Sequence, residues 1–386
     1  MEYSNSQSLV LDNSRKDLKP PLFYDPILLV VTLALVFFSI VMIYSITGVT
    51  ALDKYGDDLY FVKRQILGAM LGFGLMWFFS RVSVERLKQV TPYLYFVAVG
   101  LLLLTYIPGL ASEAGGAQRW INLGILKLQP VELVKICVVI FMAGFFARRE
   151  NDMQSFITAI IVPMVYFAPI ALILLLQPDF GSTAILTFAI VAMSFVSGIW
   201  MRHVAILIGL IVSAFSVLVV VSPYRMSRIL TFLSPMQDLQ GKGYQLMQSL
   251  ITVSGGNWFG LGLGESMQKL YFLPAAHTDF LFAVIAEEWG FVGAVFALLL
   301  FLIILYRGVK IALRLTGDAF SFSLAVGLLV LIVGSALVNM GVVTGMLPTK
   351  GLVLPLLGYG GSSLMASLAS IGILLGLAKR GRSIIK

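Results

Sequence analysis

About ten long apolar segments limit what this chain can fold into, because each approaches the roughly 20 residues that cross a lipid bilayer. The chain is 59% hydrophobic and 12% charged, whereas soluble domains carry about 25% charged residues. Inside a bilayer the backbone must satisfy its own hydrogen bonds, and long runs without two-residue alternation favour helices over strands. We therefore predict an all-α polytopic membrane protein with spans near 27–47, 62–80, 91–108, 131–148, 156–176, 182–200, 204–222, 280–306, 320–343 and 362–378.

The distribution of positive charge predicts the orientation. The net charge is +8, but most of the 27 Lys and Arg residues fall on one side of the predicted spans, which favours the positive-inside rule over nucleic-acid binding. An even number of spans then places both termini in the cytoplasm. We predict a cytoplasmic tail at 1–20, without a cleaved signal peptide, and one transmembrane domain at 21–386. A long extracytoplasmic loop at 223–279 would join the seventh and eighth helices.

Residue counts exclude several kinds of site. Cys137 is the one cysteine in the sequence, so no disulfide can form within the chain. With the two histidines His203 and His277, a histidine or zinc site of the usual composition is not expected. The polar residues of the predicted outer loops are the remaining candidates.

The first outer loop carries two cations against the positive-inside trend, Arg119 and Lys127. They are either snorkelling surface residues or part of an anion site near the outer leaflet. The alternating residues around 119–128 could lie flat in the interface or dip into it. Glu132 and Lys135 follow Pro130 at a spacing of three, so they can form an ion pair on one helix face.

Three further outer segments contain candidate residues. Asp179 lies in a tight turn and is expected to cap the next helix at Ser182. Residues 244–254 are amphipathic and predict an interfacial helix, and the glycines after them lack the sequence of a nucleotide-binding loop. A proline- and glycine-rich stretch around Lys350 either forms a plain turn or lines a cavity at membrane depth.

Asp279 lies where the long polar loop re-enters an apolar segment. A carboxylate at a membrane mouth loses hydration, so its charge is costly without a partner or a function. The structural interpretation is that Thr278 and Asp279 begin the next helix as N-cap or first-turn residues. Both interpretations stand on position alone, and the neighbouring motifs favour the functional one.

Together these motifs resemble the SEDS family (shape, elongation, division and sporulation) along nearly the whole chain. The sequence is most similar to the division branch of that family, and the sporulation branch shares its Leu-Pro-Thr-Lys-Gly motif. The motifs are Gly-Ala-Gln-Arg-Trp-Ile at 116–121, Gln-Pro-Val-Glu-Leu-Val-Lys at 129–135, Gln-Pro-Asp-Phe-Gly at 177–181, Pro-Tyr-Arg at 223–225, Gly-Lys-Gly-Tyr-Gln at 241–245, His-Thr-Asp-Phe at 277–280 and Leu-Pro-Thr-Lys-Gly at 347–351.

The resemblance implies a peptidoglycan glycosyltransferase that polymerises lipid II at the outer face of the plasma membrane. Asp279 matches the essential aspartate of the family and would accept the proton of the attacking sugar hydroxyl. The undecaprenyl pyrophosphate leaving group needs compensating positive charge. We assign that role to Arg119, Lys127, Lys135 and Lys350, of which Lys127 alone lies outside a motif position.

The resemblance also implies roles for other residues and for partners. Gln245 and His277 would contact substrate, and a structural or gating role is expected for Glu132, Asp179, Glu287 and Glu288. A divalent cation such as Mg²⁺ or Mn²⁺ is an alternative source of charge for the pyrophosphate. Ala275 stands where many members of the family have glutamate, which weakens a metal site built from a second carboxylate beside Asp279. The expected partners are a class B penicillin-binding protein and other division proteins at the septum.

Two other functions fit a chain of this kind. A lipid II flippase would use intramembrane charges such as Lys135 and Glu287, although no inverted repeat is evident. A non-catalytic scaffold of the division machinery is the third possibility. Only the enzyme requires its chemistry to be confined to the outer face.

Overall fold

A computed structural model describes residues 25–107, 111–114, 117–122, 127–222, 242–266, 276–348 and 351–384, with a few isolated residues between 226 and 234. The predicted tail at 1–20 lies outside this part of the chain. The described helices are α1 (Pro26–Tyr55), α2 (Tyr60–Arg81), α3 (Val84–Tyr106), α4 (Pro130–Arg148), α5 (Ile157–Leu176), α6 (Phe180–Val196), α7 (Met201–Val221), α8 (Lys242–Gly255), α9 (Leu281–Glu288), α10 (Gly290–Leu313), α11 (Ala319–Val343) and α12 (Gly361–Ile384).

The helices confirm the predicted polytopic membrane architecture. Eight of the described helices are long and apolar enough to cross a bilayer. Two more occupy predicted spans: α6 is shorter, and α2 is less apolar because its first turns contain Lys63 and Arg64. Every predicted span therefore coincides with a helix or, for 280–306, with two.

The second and last spans pack closely through glycines. A Cβ added at Gly372 on α12 would lie 2.4 Å from the carbonyl oxygen of Met76 on α2, and one added at Gly72 would lie 2.5 Å from Leu368 Cδ1. Small residues let helix backbones approach in lipid, where dispersion contacts replace the hydrophobic driving force. The N-terminal and C-terminal parts of the chain thus share one helix interface.

The apolar run 280–306 is not one continuous helix. Helix α9 ends at Glu288 and α10 begins at Gly290, which has a φ of +69°. Glycine adopts this left-handed conformation without the steric cost that a Cβ would bring. The break turns the chain in the middle of a predicted span, and it leaves room for another segment of backbone.

Residues 242–264 pack beside this break. The helix predicted over 244–254 is present as α8, and its interfacial position stays a prediction. Helix α8 packs against α9 and α11, and its Ser249 hydroxyl donates to the Val343 carbonyl oxygen at 2.8 Å. The following glycine-rich segment pairs with the break: the amides of Leu261 and Gly262 donate to the carbonyls of Glu287 and Glu288, each at 3.0 Å. The described part of the long loop therefore packs along α9 through both side-chain and main-chain contacts.

A small antiparallel sheet forms part of the first outer loop, where the alternating residues were predicted to lie flat or dip into the interface. Strand β1 (Ala111–Ala114) pairs with β2 (Ala117–Asn122), and β2 pairs with β3 (Lys127–Leu128). The alternation at 119–122 and 127–128 thus reflects strand pairing, a local exception to the all-α prediction.

Ion pairs join several helices at the end of the bundle that is predicted to face the cytoplasm. The guanidinium group of Arg307 on α10 binds the Asp25 carboxylate with two nitrogens, the shorter contact being 2.6 Å. Asp318 accepts from Lys88 at 2.9 Å and from Arg380 at 3.0 Å. These residues join α1, α3, α10, α11 and α12 on the side that the positive-inside rule assigns to the cytoplasm.

Candidate functional site

Asp279 is half-buried at the outer end of the bundle, two residues before α9. Phe280 occupies the N-cap position of that helix, so the interpretation of Thr278 or Asp279 as the N-cap residue is wrong. The helix instead begins after the aspartate, and its direction carries the chain away from the outer end.

Asn339 fixes the main chain around this aspartate. Its side-chain amide nitrogen donates to the carbonyl oxygen of Asp279 at 2.8 Å and to that of Leu352 at 2.6 Å. A Cβ added at Gly351 would lie 3.2 Å from Asp279 Oδ2, so the carboxylate is in close contact with the backbone at this glycine. One amide of α11 therefore joins the 276–280 turn to the loop that precedes α12.

That loop is anchored in turn by buried polar residues of α1 and α2. The Ser39 hydroxyl donates to the Leu357 carbonyl at 2.6 Å, and the Gln65 amide nitrogen donates to Ser39 Oγ at 3.1 Å. The amide of Tyr359 donates to the His277 carbonyl at 2.9 Å. Both sides of the turn that carries Asp279 are thus held through main-chain atoms.

His277 lies among aromatic rings beside Asp279. Its ring is 5.5 Å from that of Phe61 and 5.6 Å from that of Tyr359, measured between centroids. Burial lowers the pKa of His277 below its usual value of 6.5, and the nearby Lys54 ammonium lowers the pKa further. At neutral pH the imidazole is therefore uncharged, so it can hydrogen-bond a sugar but adds no positive charge for a pyrophosphate.

The predicted ion pair between Glu132 and Lys135 is present, with Lys135 Nζ 2.8 Å from Glu132 Oε1. Both side chains are nearly buried and line a cavity of about 30 Å³, which has room for one or two waters. Leu352 from the loop beside Asp279 also lines it. The Ser335 hydroxyl lines the same cavity and is buried without a hydrogen-bond partner among the described residues.

Arg119 is held at the same end of the bundle. Its Nε donates to the Gln177 carbonyl at 2.7 Å, in the turn where Asp179 accepts from the Ser182 amide at 3.0 Å. The predicted capping role of Asp179 is confirmed. The next residue but one, Gly181, packs against Leu352, because a Cβ there would lie 3.0 Å from the Leu352 side chain. The Arg119 loop and the Asp279 loop therefore meet around Leu352.

Three predicted substrate-binding residues remain: Lys127, Gln245 and Lys350. Lys127 has an exposed side chain, and its carbonyl accepts from the Ser362 hydroxyl at 3.3 Å. Gln245 is half-buried on α8. Lys350 lies outside the described residues. Substrate contacts of these three residues stay predictions.

Glu287 and Glu288 are buried at the end of α9, 4% and 2% exposed. The Ser45 hydroxyl on α1 is 2.7 Å from both carboxylate oxygens of Glu288, and the Ser266 hydroxyl donates to Glu287. With a rise of about 1.5 Å per residue, the two carboxylates lie on the order of 12 Å from Asp279. They hold the chain around the break, and their gating role stays a prediction.

A metal ion would need ligands from outside the described residues. Within them, no group of three or more His, Cys, Asp and Glu side chains comes together. Asp279 is a single carboxylate, and Mg²⁺ bound through so few protein ligands also takes oxygens from substrate phosphates. The described donor set does not build a protein-only metal site.

Asn339 and Gln65 are positioning residues that the sequence interpretation passed over. Each is a polar amide within or next to an apolar span, and both are buried, at 2% and 0% exposed. Buried amides in lipid need partners, so their presence in such segments is the signal that could have identified them. Their partners are far away in sequence, so the sequence does not show which groups they bind.

Replacing Asn339 by leucine is expected to destabilise the fold by about 2 kcal/mol, because the part-buried Asp279 carbonyl and the buried Leu352 carbonyl lose their donor. Activity should fall about tenfold, which corresponds to about 1.4 kcal/mol of lost positioning. Thermal unfolding and the turnover rate of the purified protein measure the two effects. Leu337→Ala, on the same helix but 42% exposed, is the control. Full activity in Asn339→Leu would contradict a positioning role.

Comparison with known proteins assigns the chain to a family. The model of the FtsW/RodA/SpoVE family, described as "Cell cycle protein", matches residues 26–383. The chain belongs to this family. A "Probable peptidoglycan glycosyltransferase FtsW" of Halorhodospira halophila is 42% identical over 87% of the chain and 86% of its own length. "Stage V sporulation protein E" of Bacillus subtilis is 37% identical, with coverage of 93% and 98%.

Two solved structures share the fold of this chain. One is a chain from a study titled "Structural coordination of polymerization and crosslinking by a peptidoglycan synthase complex", with a TM-score of 0.75, 32% identity, and coverage of 93% of this chain and 98% of that one. Another is the rod shape determining protein RodA of Thermus thermophilus, with a TM-score of 0.66, 28% identity, and coverage of 92% and 97%. The predicted resemblance is confirmed over nearly the whole chain.

Proposed function

We propose that this protein is a peptidoglycan glycosyltransferase that polymerises lipid II into glycan strands at the outer face of the plasma membrane. The observation that carries the proposal is the position of Asp279. Its half-buried carboxylate lies at the outer end of the bundle, fixed through main-chain atoms by Asn339 and contacted by the Gly351 backbone. Relatives named as glycosyltransferases support the same activity.

The proposed reaction forms one glycosidic bond and breaks one bond to phosphate. The acceptor 4-hydroxyl attacks the anomeric carbon of the donor, while the Asp279 carboxylate accepts the hydroxyl proton. The anomeric centre acquires oxocarbenium character as the bond to undecaprenyl pyrophosphate breaks. As the general base, Asp279 must give up the accepted proton before the next attack, and its partial exposure to solvent provides a route for that proton.

The leaving pyrophosphate is proposed to meet positive charge in the outer loops. Arg119 is held at the outer end by its bond to Gln177, and Lys127 has an exposed side chain nearby in sequence. Lys135 is already paired with Glu132, so its charge is partly neutralised. We therefore assign Arg119 and Lys127 the larger share of leaving-group stabilisation, with Lys350 as the third cation of the set.

The proposed partner is a cross-linking enzyme of the class B penicillin-binding protein type, acting with other division proteins at the septum. A chain from a complex that coordinates polymerisation with crosslinking has the same fold, which supports a partner of this kind. The chain itself would be a single transmembrane domain over 21–386, with a cytoplasmic tail at 1–20.

Purified protein, alone and with its transpeptidase partner, should convert lipid II into glycan chains that are resolved by gel electrophoresis. Release of undecaprenyl pyrophosphate gives an independent count of bonds formed. In vesicles, fluorescent lipid II tests the flippase alternative. Movement of lipid II across the bilayer without polymer formation would contradict the proposal and support a transporter. Absence of both activities in the protein with its partner would support a non-catalytic scaffold.

A further inference from the structure

A basic pocket opens at the inner end of the bundle, opposite Asp279. It has a volume of about 410 Å³ and lies between the end of α2, the start of α3 and the end of α12. Three cations line it, Arg81, Lys379 and Arg380, against one carboxylate, Glu85, among the described lining residues. The glycosyltransferase chemistry proposed above does not use this pocket.

The three cations differ in their exposure and in their described contacts. Arg380 binds both Glu85 and Asp318, so its charge is offset within the protein. Arg81 is exposed, and its guanidinium carbon lies 4.9 Å from the centroid of the Trp77 ring. Lys379 is also exposed. Among the described lining residues, cations therefore outnumber carboxylates by three to one.

The backbone adds to this positive potential. Ser83 is the N-cap of α3, and Ser83, Val84 and Glu85 all line the pocket. The amino end of a helix carries partial positive charge and amide donors that favour an anion. Glu85 occupies the first turn and binds Arg380, as an internal carboxylate placed where an external anion would bind.

Exposed aromatic residues precede the pocket on α2, and one of them contacts the lining residue Arg81. Trp77 and Phe78 on α2 are 51% and 56% exposed, and Trp77 lies one helical turn before Arg81 on the same face. A ligand with a phosphate group and acyl chains would meet cations at one end and aromatic rings at the other. Anionic headgroups of the cytoplasmic leaflet bind basic pockets between helices in this manner.

We propose that this pocket binds the phosphoryl group of an anionic phospholipid from the cytoplasmic leaflet. Arg81 and Lys379 contact the phosphate, and the lipid competes with Glu85 for Arg380. A soluble phosphate compound shares the headgroup chemistry but would make no use of Trp77 and Phe78.

Native mass spectrometry of the full-length protein, with added phosphatidylglycerol or phosphatidylcholine, tests this site. We expect preferential retention of phosphatidylglycerol. Arg81→Ala/Lys379→Ala should weaken it by about 25-fold, because each surface cation contributes about fivefold in affinity for an anionic lipid. Glu85→Gln should strengthen retention, since it removes the internal competitor.

The matched control is Arg202→Ala/Lys310→Ala. Arg202 stacks on Trp200 as Arg81 stacks on Trp77, and Lys310 is exposed as Lys379 is. Both control residues lie at the inner end of the bundle but do not line the pocket. Retention of phosphatidylglycerol by this control should change less than twofold. An equal loss in both double variants, or equal binding of the two lipids to the unmodified protein, would overturn the site. Displacement of the lipid by equimolar inorganic phosphate would identify a soluble ligand instead.

Discussion

Asp279→Asn is expected to lower the rate of lipid II polymerisation by about 10²- to 10⁴-fold, the range that general-base catalysis contributes. Asparagine has nearly the same shape but cannot accept the hydroxyl proton. The contact from Asn339 goes to the main-chain carbonyl of residue 279, so the substitution leaves it in place. Gel analysis of glycan chains and release of undecaprenyl pyrophosphate measure the rate.

Two comparisons make this result specific. Asp58→Asn changes another aspartate near the outer end of α1 and should retain full activity. The thermal unfolding midpoint of Asp279→Asn should stay within a few degrees of that of the unmodified protein, which separates lost chemistry from lost structure. Polymerisation at an unchanged rate in Asp279→Asn would remove this carboxylate from the mechanism.

Gly260→Ala is expected to destabilise the folded protein by about 3 kcal/mol or more. The residue has a φ of +82°, and an added Cβ would lie 2.2 Å from the carbonyl oxygen of Glu288. The left-handed conformation costs about 1–2 kcal/mol for a residue with a Cβ, and the forced contact costs about 1–3 kcal/mol more. The thermal unfolding midpoint of the protein in detergent measures the loss.

Two nearby glycines distinguish the cost of the left-handed conformation from the cost of the forced contact. Gly262 also has a positive φ, +107°, but its nearest neighbour to an added Cβ is a flexible glutamate side chain at 3.7 Å. Gly255 has no atom within 4 Å of an added Cβ. We expect the destabilisation to decrease from Gly260→Ala to Gly262→Ala to Gly255→Ala. Equal effects at 260 and 262 would show that the close approach to Glu288 contributes nothing.

The sequence predicted the membrane spans because each is an almost unbroken apolar run, and a helix there needs no tertiary partner to satisfy its backbone. It did not predict the break between α9 and α10, which depends on a positive φ at Gly290 and on backbone contacts with residues 257–262. A glycine in an apolar run is equally compatible with a straight helix. Pairing of the strands at 111–114 and 117–122 was not predicted, because alternation over so few residues does not say whether a segment lies in the interface or pairs with another strand.

Some contacts of the candidate site were predicted from the sequence and others were not, for a similar reason. Local features were accessible: the Glu132–Lys135 pair and the Asp179 cap each join residues three apart. The clamp on Asp279 was not, because Asn339 lies 60 residues further along the chain. A single sequence gives no information about which distant residues meet.

The bond between Gln65 and Gly358 has a consequence for biosynthesis. The two residues are 293 positions apart, so the side chain of Gln65 enters the bilayer long before its acceptor has been translated. At about 5–20 residues per second the delay is roughly 15–60 s. During that interval the Ser39 hydroxyl on α1 is the one described partner already synthesised for the Gln65 amide nitrogen. The loop before α12 is joined to α1 and α2 only after residue 358 has been made.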